Sequence, residues 1–187
     1  MFYSLKNLKN MGIKILGTNI QINKSVKMYN PTKLTLHNNV RIDDFTILAG
    51  YGSITIKNYI HISSHCVFIS GTFIEINNYT CVSIGCKLIG ANDDYSGNYM
   101  SNPTVPKNLT NVNRGFITIQ EHCMIGCNSV IFPNVLIDTG SVIGASSLAN
   151  KSTDKWTIYA GIPIKKIKDR KNTCEKLCDE LTNNLVN

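Results

Sequence analysis

Apolar residues recur at every sixth position along most of this 187-residue chain, and that period excludes most of the ways a chain can fold. The run reads Leu16, Ile22, Met28 and Leu34; Leu36, Ile42, Leu48 and Ile54; Ile56, Ile62, Phe68 and Ile74; then Ile76, Val82 and Leu88. After a gap it resumes in step as Ile119, Ile125, Ile131, Ile137, Ile143 and Ala149. A period of six fits neither a 3.6-residue helix nor strand alternation. It fits a short strand plus a corner, three of which close a triangular coil of about 18 residues. A longer repeat supports this, because the stretches anchored at Leu34, Ile54 and Ile74 lie 20 residues apart and a fourth follows at Ile117.

The fourth residue after each anchor is small or β-branched, as at Val26, Val40, Thr46, Ile60, Cys66, Thr80, Cys86, Cys123, Ser129, Ser141 and Ser147, and is expected to face inward. The residue after the anchor, as at Gly126, Asp138 and Gly144, is expected to make the tight corner, with Gly85 slightly out of register. Between Leu88 and Ile119 the count is broken by an insertion of about 23 residues, at about 91–114. A loop this long in a small domain usually has a function. Ser4 is expected to start a capping helix within 1–12. Asn172 and Glu175 form a candidate capping box before a helix carrying Leu177, Leu181 and Leu185. The chain divides into a capping helix at 1–12, a solenoid at 13–164 and a basic segment with a helix at 165–187.

Composition narrows the setting. With 43% hydrophobic and 17% charged residues the chain can bury a core. No apolar run approaches the ~20 residues a membrane span needs, and Met1 to Gly12 lack a signal-peptide pattern. A cytoplasmic protein without a membrane partner is expected. Three of the cysteines, Cys66, Cys86 and Cys123, fall in inward slots, and no Cys-x-x-Cys occurs, so no metal is expected. Among the histidines, His61 and His65 are spaced like a ligand pair, His61 should point outward beside Arg41 and Cys81, and His65 and His122 should lie at the surface. The net charge of +7 is concentrated late, at Lys165, Lys166, Lys168, Arg170 and Lys171. That cluster lacks the interleaved aromatics of a nucleic-acid stacking surface, which favours an anionic small molecule as partner.

The sixes, together with Ile125-Gly-Cys-Asn-Ser-Val-Ile, Phe132-Pro-Asn-Val, Val142-Ile-Gly-Ala-Ser-Ser-Leu-Ala-Asn-Lys and Tyr159-Ala-Gly-Ile-Pro-Ile-Lys-Lys-Ile-Lys, resemble the hexapeptide-repeat acyltransferases. The resemblance implies an all-β solenoid, a left-handed parallel β-helix with an inserted loop and short terminal helices. It further implies a homotrimer with sites at subunit interfaces, and acetyl-CoA as co-substrate. Carried over residue by residue, it places Met124, Gly126, Cys127, Ala145, Asn150 and Lys151 along the pantetheine arm. The backbone N–H of Cys127 would stabilise the tetrahedral oxyanion, and Lys165 and Lys168 would meet the phosphates. The γ-class carbonic anhydrases share the fold and bind metal through three His across a subunit boundary, but His61 and His65 lie too early in the chain for that pattern and the insertion holds no His.

Asp93-Asp94-Tyr95-Ser96-Gly97, Asn102-Pro-Thr-Val-Pro, Trp156 to Ala160, Arg41-Ile-Asp-Asp-Phe and Ile60-His-Ile-Ser are similar to the subgroup that N-acetylates nucleotide-linked amino sugars of the 4-amino-4,6-dideoxyglucose type. In the family's sugar O-acetyltransferases a general-base His falls five residues past the anchor equivalent to Leu88, and Asp93 stands there instead. A carboxylate suits an amine, which is nucleophilic once neutral and needs only a proton acceptor. The expectation is an N-acetyltransferase for a UDP- or dTDP-linked amino-deoxysugar. Asp93 is its base, His61 a second candidate, and Asp94, Tyr95 and Tyr99 contact the sugar or nucleotide. A sugar O-acetyltransferase and a non-catalytic binding solenoid are the alternatives.

Overall fold

Each six-residue unit contributes one short strand whose flanking residues point inward and whose middle residue points out, as in Ile60-His61-Ile62. In the computed structural model, which describes residues 1–186, with side chains omitted at 179 and 182–186, these strands stack into three parallel faces of a triangular prism. Face one stacks Lys14–Ile15, Leu34–Leu36, Ser53–Ile56, Phe73–Ile76, Ile117–Ile119 and Val135–Ile137. Face two runs from Ile20–Ile22 through Val40–Ile42, Ile60–Ile62, Cys81–Val82, Met124–Ile125 and Val142–Ile143 to Thr157–Ala160. Face three holds Lys27–Met28, Ile47–Gly50, Val67–Ser70, Lys87–Ile89, Val130–Ile131 and Leu148–Ala149. The expected solenoid is therefore present. Its early coils repeat at 20 residues (Ile42 against Ile62) and its late ones at 18 (Ile125 against Ile143).

The core is the column of anchors. Ile22, Ile42, Ile62, Val82, Ile125 and Ile143 are all fully buried, and burying each such side chain stabilises the fold by about 1.5–3 kcal/mol. Two anchors depart from this: Met28 is half-buried, and the first anchor is shifted. Ile15, not Leu16, registers with Leu36, and Leu16 is exposed, because the first coil holds one residue more than its neighbours.

Thr, Cys and Ser side chains in the inward slots cap carbonyls of the next coil's corner. Thr46 Oγ1 donates to the Ser63 carbonyl, Cys66 Sγ to Ser83, Cys86 Sγ to Gly126 and Ser129 Oγ to Gly144. At the corner between faces one and two, Thr80, Cys123 and Ser141 do the same for Gln120, Asp138 and Asp154. A larger side chain would fill the corner without satisfying these buried acceptors.

The corners differ from the sequence expectation. The left-handed conformation falls three residues after the anchor, at Asn39, Phe45, Tyr59, His65, Tyr79, His122, Asn128, Asn134 and Ser146, so Gly85 is in register. Gly126 and Gly144 are not in that conformation and serve instead to let the next coil approach. Left-handed backbone costs non-glycine residues roughly 1–2 kcal/mol, and at one corner stacking offsets it. Tyr59, Tyr79, His122 and Trp156 form a continuous ring ladder there, with centroids 5.1–5.9 Å apart. His122 is thus half-buried in a stack rather than a surface residue, and Trp156 reaches it across Gly140, where a Cβ would meet the indole.

Short helices stand near both ends of the chain. Helix α1 spans Leu5–Asn10, is capped by Ser4 Oγ accepting from the Asn7 N–H, and buries Leu8 completely over the first coil. At the other end Lys165–Asp169 joins face two as a final antiparallel strand. Helix α2 spans Cys174–Val186. The reciprocal capping box does not form: Asn172 Nδ2 donates to the Glu175 carboxylate, and the Glu175 N–H bonds the Asn172 carbonyl. Leu177 is exposed and Leu181 half-buried, while the side chain at 185 lies outside those described. No helix among the described residues is long and apolar enough to cross a membrane.

Candidate active site

Parallel stacking turns the outward residues of face two into one continuous row. Strand register sets Gln21 beside Arg41, Arg41 beside His61, His61 beside Cys81 and Cys81 beside Met124, then Val142, Ile158 and Lys168. The row changes from polar, through thiol and thioether, to aliphatic and finally cationic. Met124 is 45% exposed in its middle.

Next to Met124 lies the corner between faces two and three, which gathers Gly126, Cys127 and Ala145. A Cβ on Gly126 would stand 2.5 Å from the Ala145 nitrogen, so the two coils touch there through backbone alone. The Cys127 carbonyl accepts from Ser146, while its N–H donates to no described acceptor. The N–H groups of Asp44, Ile84 and Ala145 at the same corner are equally free, so the corner exposes a row of donors. Asn150 and Lys151 are exposed just past Leu148–Ala149. Lys165 and Lys168 are exposed on the final strand, where Lys168 registers with Ile158.

The insertion leaves at a different corner, between faces three and one. Ala91–Asp93 pairs antiparallel with Val112–Arg114, which ties its base shut. A cleft of about 560 Å³ opens beside this pair, lined among others by Asp93, Asn92, Asn102, Lys107, Arg114 and Tyr51. Asp93 Oδ2 accepts the Asn102 N–H at 3.2 Å, and Oδ1 has no hydrogen-bond partner among the described residues. Asn92 Oδ1 is buried beside it, also unpartnered. Opposite, the Arg114 guanidinium lies 3.9 Å from the centroid of the Tyr51 ring, a cation–π contact that fixes the charge in place. Asp94 accepts from Ser96, and Asp94, Tyr95 and Tyr99 do not line the cleft; Tyr95 is 77% exposed.

His61 holds a partner that spacing alone did not disclose. Its Nε2 lies 2.7 Å from Asp43 Oδ2, while Arg41 Nε donates to Asp43 Oδ1 at 2.7 Å. Burial works to raise the Asp43 pKa, but the hydrogen bonds from His61 and Arg41 outweigh it and hold the carboxyl below its usual value. Two of the inward thiols, Cys66 and Cys123, are the opposite case. A hydrogen bond with Cys86 and burial push Cys66 up, and burial pushes Cys123 up to about 12. One chain therefore brings Met124, Gly126, Cys127 and Ala145 together, with His61 two strands away. It leaves Asp93 at another corner. Sequence reasoning missed Asp43, Tyr51, Lys107 and Arg114, whose placement depends on coil stacking and on the return of the insertion.

No protein-family model matches the chain. A dTDP-4-amino-4,6-dideoxy-D-glucose acyltransferase from Escherichia coli is 40% identical over 164 residues, covering 87% of this chain and 85% of that one. The crystal structure of AntD, an N-acyltransferase from Bacillus cereus in complex with dTDP and 3-hydroxybutyryl-CoA, superposes with a TM-score of 0.94 at 39% identity, covering 100% of this chain and 98% of that one. A variant of AntD has been solved with dTDP-4-amino-4,6-dideoxyglucose and coenzyme A, at TM-score 0.92 and 39% identity over 98% and 97% of the two chains. A hexapeptide-repeat acetyltransferase from Vibrio cholerae in complex with acetyl-CoA shares the fold at TM-score 0.60 and 17% identity, over 88% and 75%. The solenoid is thus the left-handed β-helix of the hexapeptide-repeat acyltransferases. Within that class the chain belongs to the family of dTDP-4-amino-4,6-dideoxyglucose acyltransferases, and it is an acyl-CoA-dependent sugar N-acyltransferase.

Proposed function

We propose that the protein transfers an acetyl group from acetyl-CoA to the 4-amino group of dTDP-4-amino-4,6-dideoxyglucose, in the cytoplasm. The observation that carries this is the Asp93 carboxylate, one oxygen tied to a backbone N–H and the other unpartnered, in a cleft that also holds Arg114 and Lys107. Such a cleft matches an acceptor with an ammonium at one end and a diphosphate at the other. The solved AntD variants replace either an aspartate or a serine ten positions before it. Ser83 stands ten positions before Asp93 here, which favours Asp93 over His61 as the base.

In the reaction Asp93 binds the substrate ammonium and takes one proton, freeing the nitrogen lone pair for attack on the thioester carbonyl. The oxyanion that forms is held by the N–H of Cys127. Collapse of the adduct breaks the C–S bond, and the second amine proton leaves with the CoA thiolate, giving the amide and CoA thiol. Acetyl-CoA lies along face two and its adjoining corner. Its pantetheine arm passes Met124, Gly126 and Ala145, Asn150 and Lys151 flank it, and Lys165 and Lys168 meet its phosphates. Because Asp93 and Cys127 occupy different corners of one prism, a complete site takes Asp93 from one chain and Cys127 from the next, which supports a homotrimer with interfacial sites. Asp94, half-buried, and Tyr95 and Tyr99, exposed in one chain, reach the acceptor in that assembly.

The test is CoA release with acetyl-CoA against a panel of dTDP- and UDP-linked 3-amino and 4-amino deoxysugars and their hydroxyl counterparts, read by product mass. Acetylation of the dTDP-linked 4-amino sugar is expected. Transfer only to hydroxyl sugars would reassign the protein as an O-acetyltransferase, and turnover only with a longer acyl-CoA would replace acetyl as the donor group.

A further inference from the structure

The charge of the chain is divided along the solenoid axis. Residues 1–42 hold seven Lys and Arg and no Asp or Glu, whereas the rest of the chain holds twelve cationic and twelve acidic residues and is neutral. The late cluster that includes Lys165 and Lys168 is thus balanced by acids in its own part of the chain, and the net charge of +7 belongs to the first coils. Parallel stacking makes this segment one physical end of the prism, because Lys14–Ile15, Ile20–Ile22 and Lys27–Met28 are the first strands of the three faces. Lys6, Lys9, Lys14, Lys24 and Lys27 are exposed there, and none of them makes an ion pair among the described residues. Apolar side chains stand among them, with Phe2 41% and Leu5 46% exposed. Neither is on a loose segment: the Tyr3 N–H donates to the Ile22 carbonyl, the Lys24 N–H donates to the Met1 carbonyl, and Leu8 anchors α1 in the core.

We infer that this end of the solenoid is a docking surface for an anionic lipid bilayer. Lysines without carboxylate neighbours are attracted to a negative membrane surface, and apolar side chains fixed among them supply the second contribution that stable peripheral attachment takes. The exposed cations are ammonium groups, and the one arginine of the segment, Arg41, is held by Asp43. The end therefore presents point charges suited to a diffuse surface, not planar forks aimed at single phosphates. Leu5 offers a nucleic-acid base no aromatic plane to stack on, but it gains from entering a headgroup layer. No helix among the described residues is long and apolar enough to cross a bilayer, and a surface contact needs none. In the cyclic trimer proposed above the three first coils point the same way, so one bilayer meets three copies of the patch at once. Face two places Met124 four strands from Gln21, about 19 Å along the axis, which keeps the reacting centre clear of the headgroups.

Flotation of the full chain with vesicles tests this, using phosphatidylcholine alone and two parts phosphatidylcholine to one part phosphatidylglycerol. Binding is expected to the anionic vesicles only, and to fall as salt screens the lysines. Reversing three charges together, Lys6→Glu, Lys9→Glu and Lys24→Glu, is expected to weaken that binding about tenfold or more. The same variant is expected to keep the wild-type affinity for coenzyme A, which reports that it is folded whatever the acceptor is. Leu5→Ser is expected to weaken vesicle binding several-fold and to leave retention on heparin unchanged, because heparin presents charge without a headgroup layer. Equal binding to the two kinds of vesicle, or undiminished binding by either variant, overturns the docking surface. Vesicle binding that is absent while a duplex RNA is held through the same lysines overturns it in favour of nucleic acid.

Discussion

Gly126 lies directly against Ala145 of the next coil, so close that a Cβ on Gly126 would stand 2.5 Å from the Ala145 nitrogen and 2.8 Å from the Gly144 carbonyl carbon. Both neighbours are backbone and belong to a stacked strand pair, so neither can move aside without disturbing the ladder. Gly126→Ala is therefore expected to destabilise the protein by about 1–3 kcal/mol, the usual cost of overpacking, as measured by urea denaturation. Unchanged stability would mean that the coils are less tightly spaced than described.

Asp93→Asn keeps the shape of the carboxylate and its hydrogen bond from Asn102 but removes the base. General-base catalysis typically contributes 10²- to 10⁴-fold. A fall in kcat of about that size is expected, with the KM for acetyl-CoA changed less than about twofold. Near-wild-type turnover would transfer the role to another group, with His61 next to be tested.

Lys168→Ala is expected to raise the KM for acetyl-CoA several-fold and to leave kcat close to wild type, because the phosphates are distant from the reacting carbonyl and are held equally in ground and transition states. The contrast with Asp93→Asn in one steady-state experiment distinguishes the two ends of the donor site. An unchanged KM would remove Lys168 from phosphate binding.

Cys66, Cys86 and Cys123 are fully or almost fully buried, and each donates to a carbonyl of the adjoining coil. Iodoacetamide at mildly alkaline pH is expected to leave these three unmodified in the native protein and to modify all seven cysteines in denaturant, with peptide mass as the readout. Modification of any of the three under native conditions would show that the corners open.

Asp43 carries a pH signature with a defined sign. Its folded pKa is held below the usual 3.8 by His61 and Arg41 against an opposing effect of burial. A depressed carboxylate contributes stability that is fully present above the unfolded value and is lost as pH falls through the folded one. The urea midpoint of Asp43→Asn should thus lie below that of wild type at neutral pH, with the gap closing as pH drops below 3.8. A gap independent of pH would mean that the carboxylate's charge contributes nothing there.

The solenoid was legible because its rule is one-dimensional. Strand, corner and inward slot each recur in sequence at the spacing they have in space, so Ile62 under Val82 and Cys66 under Cys86 could be read from the count alone. The rule failed at the first coil, where one extra residue moved the anchor from Leu16 to Ile15. It also misplaced the corners. Glycine serves two purposes in this fold, tolerance of left-handed backbone at Gly85 and close approach at Gly126, and composition does not tell them apart. Asp93 was legible only through the family resemblance, as a departure from the expected His.

By itself, then, the sequence determined the parallel coils, the small inward hydroxyls and thiols, the cationic end and the place where the insertion leaves, since all of these follow from a local period and its interruption. Tertiary structure decided which residues share a site. Coil stacking set Asp43 between Arg41 and His61, the antiparallel return of the insertion laid Arg114 over Tyr51, and the order of the corners parted Asp93 from Cys127. The reason is geometric: a period fixes the direction in which a side chain points, but contacts between coils depend on stacking and on the path of the one segment that does not obey the period.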